Sequence, residues 1–163
     1  MEIKELVPSL ELCKLIPQGE FADSAFIWDK TTSIGFWDGE DKDGNQIGGF
    51  GKITHTKYRL RQNYSERCRK HIKDQDITPD VFPAPTTDEI LDKCKDITGV
   101  LNPTLWYQHE WIADCGFDRT GKLSEEFFED ADFKNIDIIE GRSNKNPATA
   151  ALKLWLKLSD QSC

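Results

Sequence analysis

The sequence predicts an α+β fold, a small antiparallel sheet flanked by N-terminal, central and C-terminal helices in an αββα-like sandwich. Thr86 and Glu89 have the spacing of a capping box, which satisfies two backbone donors at a helix start. Asn146 followed by Pro147 is typical of a second helix start, because Asn caps helices and Pro suits the first helical position. Between these two helices, the segment 105–117 is rich in aromatic residues and predicts a strand.

The N-terminal part of the chain predicts one short helix and one strand. Pro8 and Ser9 favour a helix start, and Pro17 and Gly19 favour its end, because Pro cannot continue a helix. The segment 24–29 contains three consecutive large apolar residues and predicts a short strand.

The segment 31–79 is predicted to be the least regular part, a basic insertion within a single domain that spans 1–163. Its sequence at 41–45 predicts a turn between two strands, because Gly and Asn accept positive φ. Apolar residues recur at every fourth position from Tyr64 to Ile72, and this spacing predicts a helix over 65–73.

The C-terminal half predicts a central helix, a hairpin and a terminal helix. Apolar residues at helical spacing follow the Thr86 cap as far as Ile97. The segment 118–122 is typical of a hairpin turn. Ser124 favours the start of a short helix, and the segment 136–139 predicts another strand. In the last helix, the apolar stripe comprises Ala148, Ala151, Leu152, Trp155 and Leu158.

The composition predicts a soluble, cytoplasmic protein that does not interact with membranes. Hydrophobic residues make up 37% of the chain, and its apolar runs are too short for a transmembrane helix. The N-terminus begins with charged residues and lacks the apolar core of a signal peptide. An odd number of scattered cysteines disfavours a disulfide framework and favours a reducing compartment. These cysteines are Cys13, Cys68, Cys94, Cys115 and Cys163.

Two Cys–His pairs form a candidate zinc site. Cys68 and His71 have the spacing of metal ligands, and His109 with Cys115 would complete a set of two thiolates and two imidazoles, which zinc prefers. The residues of the second pair are farther apart than in zinc fingers. The sequence therefore keeps this metal site as an alternative and identifies no cofactor.

A Cys–His enzyme is a related alternative. Cys115, His109 and Glu110 are the residue types of a nucleophile, its base and an orienting acid. On a strand, however, His109 and Glu110 would point to opposite sides. The chain also lacks the motifs of phosphate loops, dinucleotide sites and serine hydrolases, so no catalytic residue is assigned.

The positive charge is concentrated in one segment. The net charge is −8, yet eight basic residues lie between Lys52 and Lys73, where Glu66 is the only acid. Arginines neutralise phosphates and tyrosines stack on bases, so this segment predicts a nucleic-acid interface. The residues predicted for it are Tyr58, Arg59, Arg61, Tyr64, Arg67 and Lys70. The opposing interpretation is a basic strip that docks on the acidic remainder of the chain, which the overall acidity favours.

Three stretches resemble small uncharacterised proteins encoded by phages and prophages of gut anaerobic bacteria. They are residues 6–28, 83–91 and 146–156, and they cover only part of the chain. The segment 31–78 departs from the pattern, because it is longer and more basic. The resemblance implies a mobile-element origin and a small αββα-like sandwich, and it carries no activity and no site residues.

The leading interpretation is therefore a non-enzymatic accessory protein that acts by binding a partner protein. Opposed charge blocks and five tryptophans, a residue type enriched at interfaces, favour it. A nucleic-acid binder using residues 52–73 and a small metal-dependent or Cys/His enzyme are the alternatives. The oligomeric state is left open.

Overall fold

The computed structural model describes residues 3–40, 42–43, 46–74, 78–118 and 136–161, with the backbone alone for 31–40, 46–56, His71 and Gln161. The α+β class predicted from the sequence is confirmed. The described elements, in chain order, are α1 (Ile3–Leu6), α2 (Leu10–Cys13), β1 (Phe26–Glu40), β2 (Gln46–Gln62), α3 (Glu66–Asp74), β3 (Val81–Pro83), α4 (Thr87–Lys95), β4 (Val100–Gln108), β5 (Glu110–Asp118), β6 (Ile136–Ser143) and α5 (Pro147–Gln161).

The described strands form two antiparallel three-stranded sheets, whereas we expected one small sheet. The first has the order β2-β1-β3 and the second the order β4-β5-β6. In the first sheet β3 pairs only with Ile27–Asp29, near the start of β1, and β1 and β2 continue as a two-stranded ribbon to the pair Glu40 and Gln46. The prediction that 31–79 is the least regular part is therefore wrong, because this segment holds most of the two longest described strands.

The single strand predicted over 105–117 is in fact a hairpin. β4 ends at Gln108 and β5 begins at Glu110, and these two residues pair with each other across His109. His109 has a φ of 64°, the left-handed conformation that lets the chain reverse here. Neither Gly nor Asn stands at this turn, so the usual sequence signal of a hairpin is missing.

The two helix starts predicted from capping residues are confirmed. At α4 the Thr86 hydroxyl accepts the backbone N–H of Glu89, and the Glu89 carboxylate accepts the N–H of Thr86, which makes a complete capping box. At α5 the Asn146 side-chain oxygen accepts the N–H of Thr149 at 2.8 Å. Both starts depend on residues three positions apart, which is why the sequence predicts them.

Other local predictions have different outcomes. α3 confirms the helix predicted over 65–73. α2 is shorter than expected, with four residues, and Ser9 makes no side-chain cap bond at its start. The hairpin turn predicted at 118–122 and the helix start at Ser124 fall, apart from Asp118, outside the described residues.

The main core lies where α4 and α5 pack against the second sheet. Leu152, Leu154 and Leu158 of α5 are completely buried. Gly141 of β6 allows this close packing, because a Cβ atom there would lie 2.5 Å from the backbone nitrogen of Leu154. Within the described residues, no helix has the length and apolar character needed to cross a membrane.

A second, smaller cluster attaches α3 to the first sheet. It consists of Ile27 from β1, Tyr64 from the β2–α3 connection and Ile72 from α3, with Cys68 and Val81 packed against it. The polar side of α3 consequently faces away from the sheet.

Candidate nucleic-acid interface

Strand β2 and helix α3 bring basic residues together on one side of the first sheet. Arg59 and Arg61 pair with Asp29 and Ile27, and paired residues of neighbouring strands lie on the same face. Ile27 packs against α3, so α3 lies on that face as well. We define the basic face as the exposed side chains of Lys57, Arg59, Arg67, Lys70 and Lys73.

A buried carboxylate lies beneath the basic face. Asp29 is 2% exposed, and it accepts a hydrogen bond from the Tyr64 hydroxyl at 2.9 Å. The Arg61 guanidinium lies 3.4 Å from the same carboxylate oxygen and 5.1 Å from the centre of the Tyr64 ring. Burial and the bond to Asp29 raise the pKa of Tyr64. The sequence predicted that Arg61 and Tyr64 contact nucleic acid, but both side chains contact this carboxylate instead. Tyr64 also has almost no exposed ring surface for stacking.

Tyr58, the other predicted stacking residue, belongs to the opposite face of the sheet. Its hydroxyl donates to Asp80 at 2.6 Å, and this bond raises the pKa of Tyr58 to about 12. Its ring packs on Phe82, with centroids 5.5 Å apart. The ammonium groups of Lys14 and Lys30 lie 5.9 and 5.7 Å from the ring centre. Such contacts hold Tyr58 away from any ligand on the basic face.

Six other described cations make ion pairs with acids, whereas the five cations of the basic face make none among the described residues. No ion pair joins them to another described residue, whereas Arg69 of the same helix pairs with Asp23 at 2.5 Å. The other ion pairs between described residues join Lys14 to Glu11, Arg61 to Asp29, Lys93 to Glu20, Lys95 to Asp92, and Arg142 to Glu110 and Glu140. The interpretation of a basic strip neutralised inside the molecule is therefore supported for Arg61 and Arg69, and it has no support for the five cations of the basic face.

The residues predicted to bind zinc are divided between the two parts of the fold. Cys68 packs on the small cluster beneath α3, while Cys115 lies in the main core. His109 is exposed at the β4–β5 turn, and the side chain of His71 is outside the description. No group of three or more potential ligands is arranged for a metal among the described side chains.

The proposed nucleophile–base trio also has no support from the geometry. Cys115 is 3% exposed, and burial raises the pKa of its thiol to about 11, which disfavours the reactive thiolate. The Glu110 carboxylate accepts from Arg142 at 3.2 Å. No hydrogen bond joins Cys115, His109 and Glu110 to one another in the described structure.

Sequence reasoning missed Asp29 and the exposed apolar residues of the second sheet. Asp29 follows three apolar residues and nothing in the sequence marks it as buried. On the outer face of the second sheet, away from α5, Trp106 is 41% exposed and Ile138 71% exposed. The alternation of apolar and polar residues along β4 and β6 is the available signal. Placing Trp106 and Ile138 on one face also requires the strand register, which the sequence does not provide.

Comparisons with protein-family models, with curated proteins and with solved structures find no match to this chain. No function can therefore be taken from a relative. The functional argument depends on the geometry and charge of the described surfaces.

Proposed function

We propose that this chain is a non-enzymatic phage or prophage accessory protein that acts by binding, and that its basic face binds the phosphate backbone of nucleic acid. The observation that carries the proposal is the set of five exposed cations that make no ion pair with the described acids. Unneutralised cations grouped on one face are the electrostatic footprint of a polyanion site.

The chemistry of the basic face favours nucleic acid over a protein partner. The centre of a protein interface is depleted of charge and enriched in aromatic side chains. Nucleic-acid interfaces are much more positively charged. On α3 the exposed positions from Glu66 to Asp74 are all charged, and the aromatic residue beneath them, Tyr64, is buried.

The same geometry predicts how nucleic acid binds. Without an exposed aromatic ring on the basic face, base stacking contributes little, and phosphate contacts carry no sequence information. Binding is therefore expected to be weak, insensitive to sequence and strongly dependent on salt. If all five cations contact phosphates, the slope of log K against log salt is about −4.5 for duplex DNA and about −3.5 for single strands.

The test measures fluorescence anisotropy of a labelled oligonucleotide across a series of KCl concentrations. The double variant Arg67→Ala with Lys70→Ala should bind more weakly, and its salt slope should be shallower by up to about two. The control is Lys93→Ala with Lys95→Ala, which removes the same charge from cations that have acidic partners.

Equal loss in both double variants would show that only net charge matters and would refute a site on the basic face. Salt-independent binding, or none at low salt, would refute the nucleic-acid proposal itself. The stability of each variant is checked by thermal unfolding, because exposed substitutions of this kind change stability by less than about 0.5 kcal/mol.

A second candidate, binding to a partner protein, is favoured by the outer face of the second sheet. Trp106 and Ile138 expose apolar area there, and Trp and Arg are enriched at interfaces. Asp114, Glu140 and Arg142 line the same face, so the partner would present an apolar patch with charged neighbours of both signs. A protein retained from host lysate by the wild type should be lost with Ile138→Asp and kept with Arg67→Ala; retention by Ile138→Asp would exclude this face.

A further inference from the structure

A cavity of about 250 Å³ lies on the outer face of the second sheet, on a different part of the molecule from the basic face. Gly116 of β5 pairs with Leu101 of β4 and Ile138 of β6, so the cavity lies over the middle strand, between its two neighbours. A Cβ atom at Gly116 would lie 3.3 Å from Ile136 and 3.5 Å from Leu101. Glycine at this position therefore keeps the space between these apolar side chains open.

A carboxylate without a cationic partner lines the cavity. Asp114 accepts hydrogen bonds from the Thr104 hydroxyl at 2.5 Å and from the Trp106 indole N–H at 2.9 Å. Both donors are neutral, and no ion pair joins Asp114 to another described residue. Glu140 opposes Asp114 on β6, and it already holds the Arg142 guanidinium at 2.8 Å. An ionised carboxylate has about four lone pairs, so Asp114 can still accept from a cation.

Asn102 provides a second acceptor in the lining. It lies at the register shift of β4 between Leu101 and Thr104, has a φ of 46° and is exposed. Its side-chain amide makes no hydrogen bond with the described residues, so its oxygen is available to a ligand. Among the described residues that line the cavity, Asp114 alone is charged. The cavity therefore favours a cation that donates hydrogen bonds.

The size and surroundings of the cavity favour a side chain of a partner protein over a free small molecule. Its volume lies below the range of about 300–1,000 Å³ that is usual for small-molecule sites. Ile138, 71% exposed, and Trp106, 41% exposed, lie on the same face and can contact the surface around an inserted side chain. Side chains that fill such pockets carry much of the binding energy of protein interfaces, and arginine is enriched among them.

We propose that this cavity accepts an arginine side chain of a partner protein. The guanidinium donates to Asp114 and Asn102, and the aliphatic stem packs on the apolar wall of the cavity. Arginine fits better than lysine, because its planar group offers five N–H donors and stacks on aromatic rings such as Trp106. The proposal rests on the second candidate function, partner binding by this face. It is independent of nucleic-acid binding, because the cavity shares no residue with the basic face.

The probe is acetyl-arginine methylamide, and its affinity is measured by NMR chemical-shift titration at millimolar concentrations. The citrulline analogue has nearly the same shape but no charge, so it should bind about tenfold more weakly, the effect of losing a hydrogen bond between charged groups. Asp114→Asn keeps the size of the side chain and removes its charge, and it should weaken binding of the arginine probe by a similar factor. Ile138→Ala, at an exposed position, should weaken it about threefold through lost apolar contact.

The matched control is Asp92→Asn, which removes the same charge from a carboxylate that is paired with Lys95. This variant, and Arg67→Ala with Lys70→Ala, should bind the probe as the wild type does. Thermal unfolding checks each ligand-free variant, and if Asp114→Asn does not fold, Ile138→Ala and the citrulline comparison decide.

No saturable binding of the arginine probe, undiminished affinity in Asp114→Asn or Ile138→Ala, or equal loss in Asp92→Asn would overturn the proposal. Equal affinity for the citrulline or the lysine analogue would also overturn it. If Ile138→Asp loses a host protein while the arginine probe does not bind the wild type, the second candidate function stands and the arginine site is rejected. If the probe binds as expected but no host protein is lost, that function fails and the arginine site remains.

Discussion

Arg61 and Arg67 carry the same charge and lie a few residues apart, yet the structure gives them opposite roles. Arg61 contacts the buried carboxylate of Asp29, and Arg67 projects from α3 without an acidic partner among the described residues. Arg61→Ala should therefore reduce stability with a small effect on nucleic-acid binding. Arg67→Ala should weaken nucleic-acid binding with a small effect on stability.

The size of the stability loss follows from the surroundings of Asp29. Removing one partner of a fully buried ion pair costs about 3–5 kcal/mol, because the remaining charge is left unpaired. Here the Arg61 side chain is 44% exposed, the pair distance is a long 3.4 Å, and Tyr64 still donates to Asp29. We therefore expect a loss of about 1–2 kcal/mol. In a chain of this length the melting temperature should fall by about 2–8 °C.

Urea unfolding followed by tryptophan fluorescence measures the stability of both variants, and oligonucleotide anisotropy measures binding. A companion variant combines Arg61→Ala with Asp29→Asn, which removes the buried negative charge and should recover part of the lost stability. If Arg61→Ala unfolds like the wild type and weakens binding as much as Arg67→Ala, then Arg61 is a ligand of nucleic acid and the reasoning from Asp29 fails.

Two further predictions concern packing and the thiols. Gly141→Ala should destabilise the protein by about 3 kcal/mol in urea unfolding, because the new methyl group would meet the α5 backbone at Ala150 and Leu154. The control is Gly116→Ala, which should have a milder effect because its nearest contact is a side-chain atom at 3.3 Å. Burial raises the pKa of the thiols to about 12 for Cys13, about 12 for Cys94 and about 11 for Cys115. Iodoacetamide at neutral pH should therefore label the half-buried Cys68 well before these three cysteines, and labelling of the three should accelerate only as the pH rises above 9. Peptide mass mapping measures the labelling rates, and equal rates for all four cysteines would contradict this burial.

The basic character of the candidate interface could be predicted from the sequence, but which residues belong to the interface could not. The cations between Lys52 and Lys73 are visible by counting charges. Which of them pairs with an acid depends on residues distant in the sequence, such as Asp29, which lies 32 residues before Arg61 and 35 before Tyr64. Since pairing between β1 and β2 creates this contact, composition and spacing within the basic segment cannot reveal it.

The sequence by itself determined the elements whose signals are local. The capping box at Thr86 and the cap at Asn146 act over three residues, and the apolar stripe of α5 repeats within one helix, so α4 and α5 could be located without any tertiary information. Only the tertiary structure decided that the strands form two sheets, that the chain reverses at His109, and that Asp114 lines a cavity with no described cation as its partner. These features depend on strand pairing and burial between distant residues, and both are properties of the folded chain as a whole.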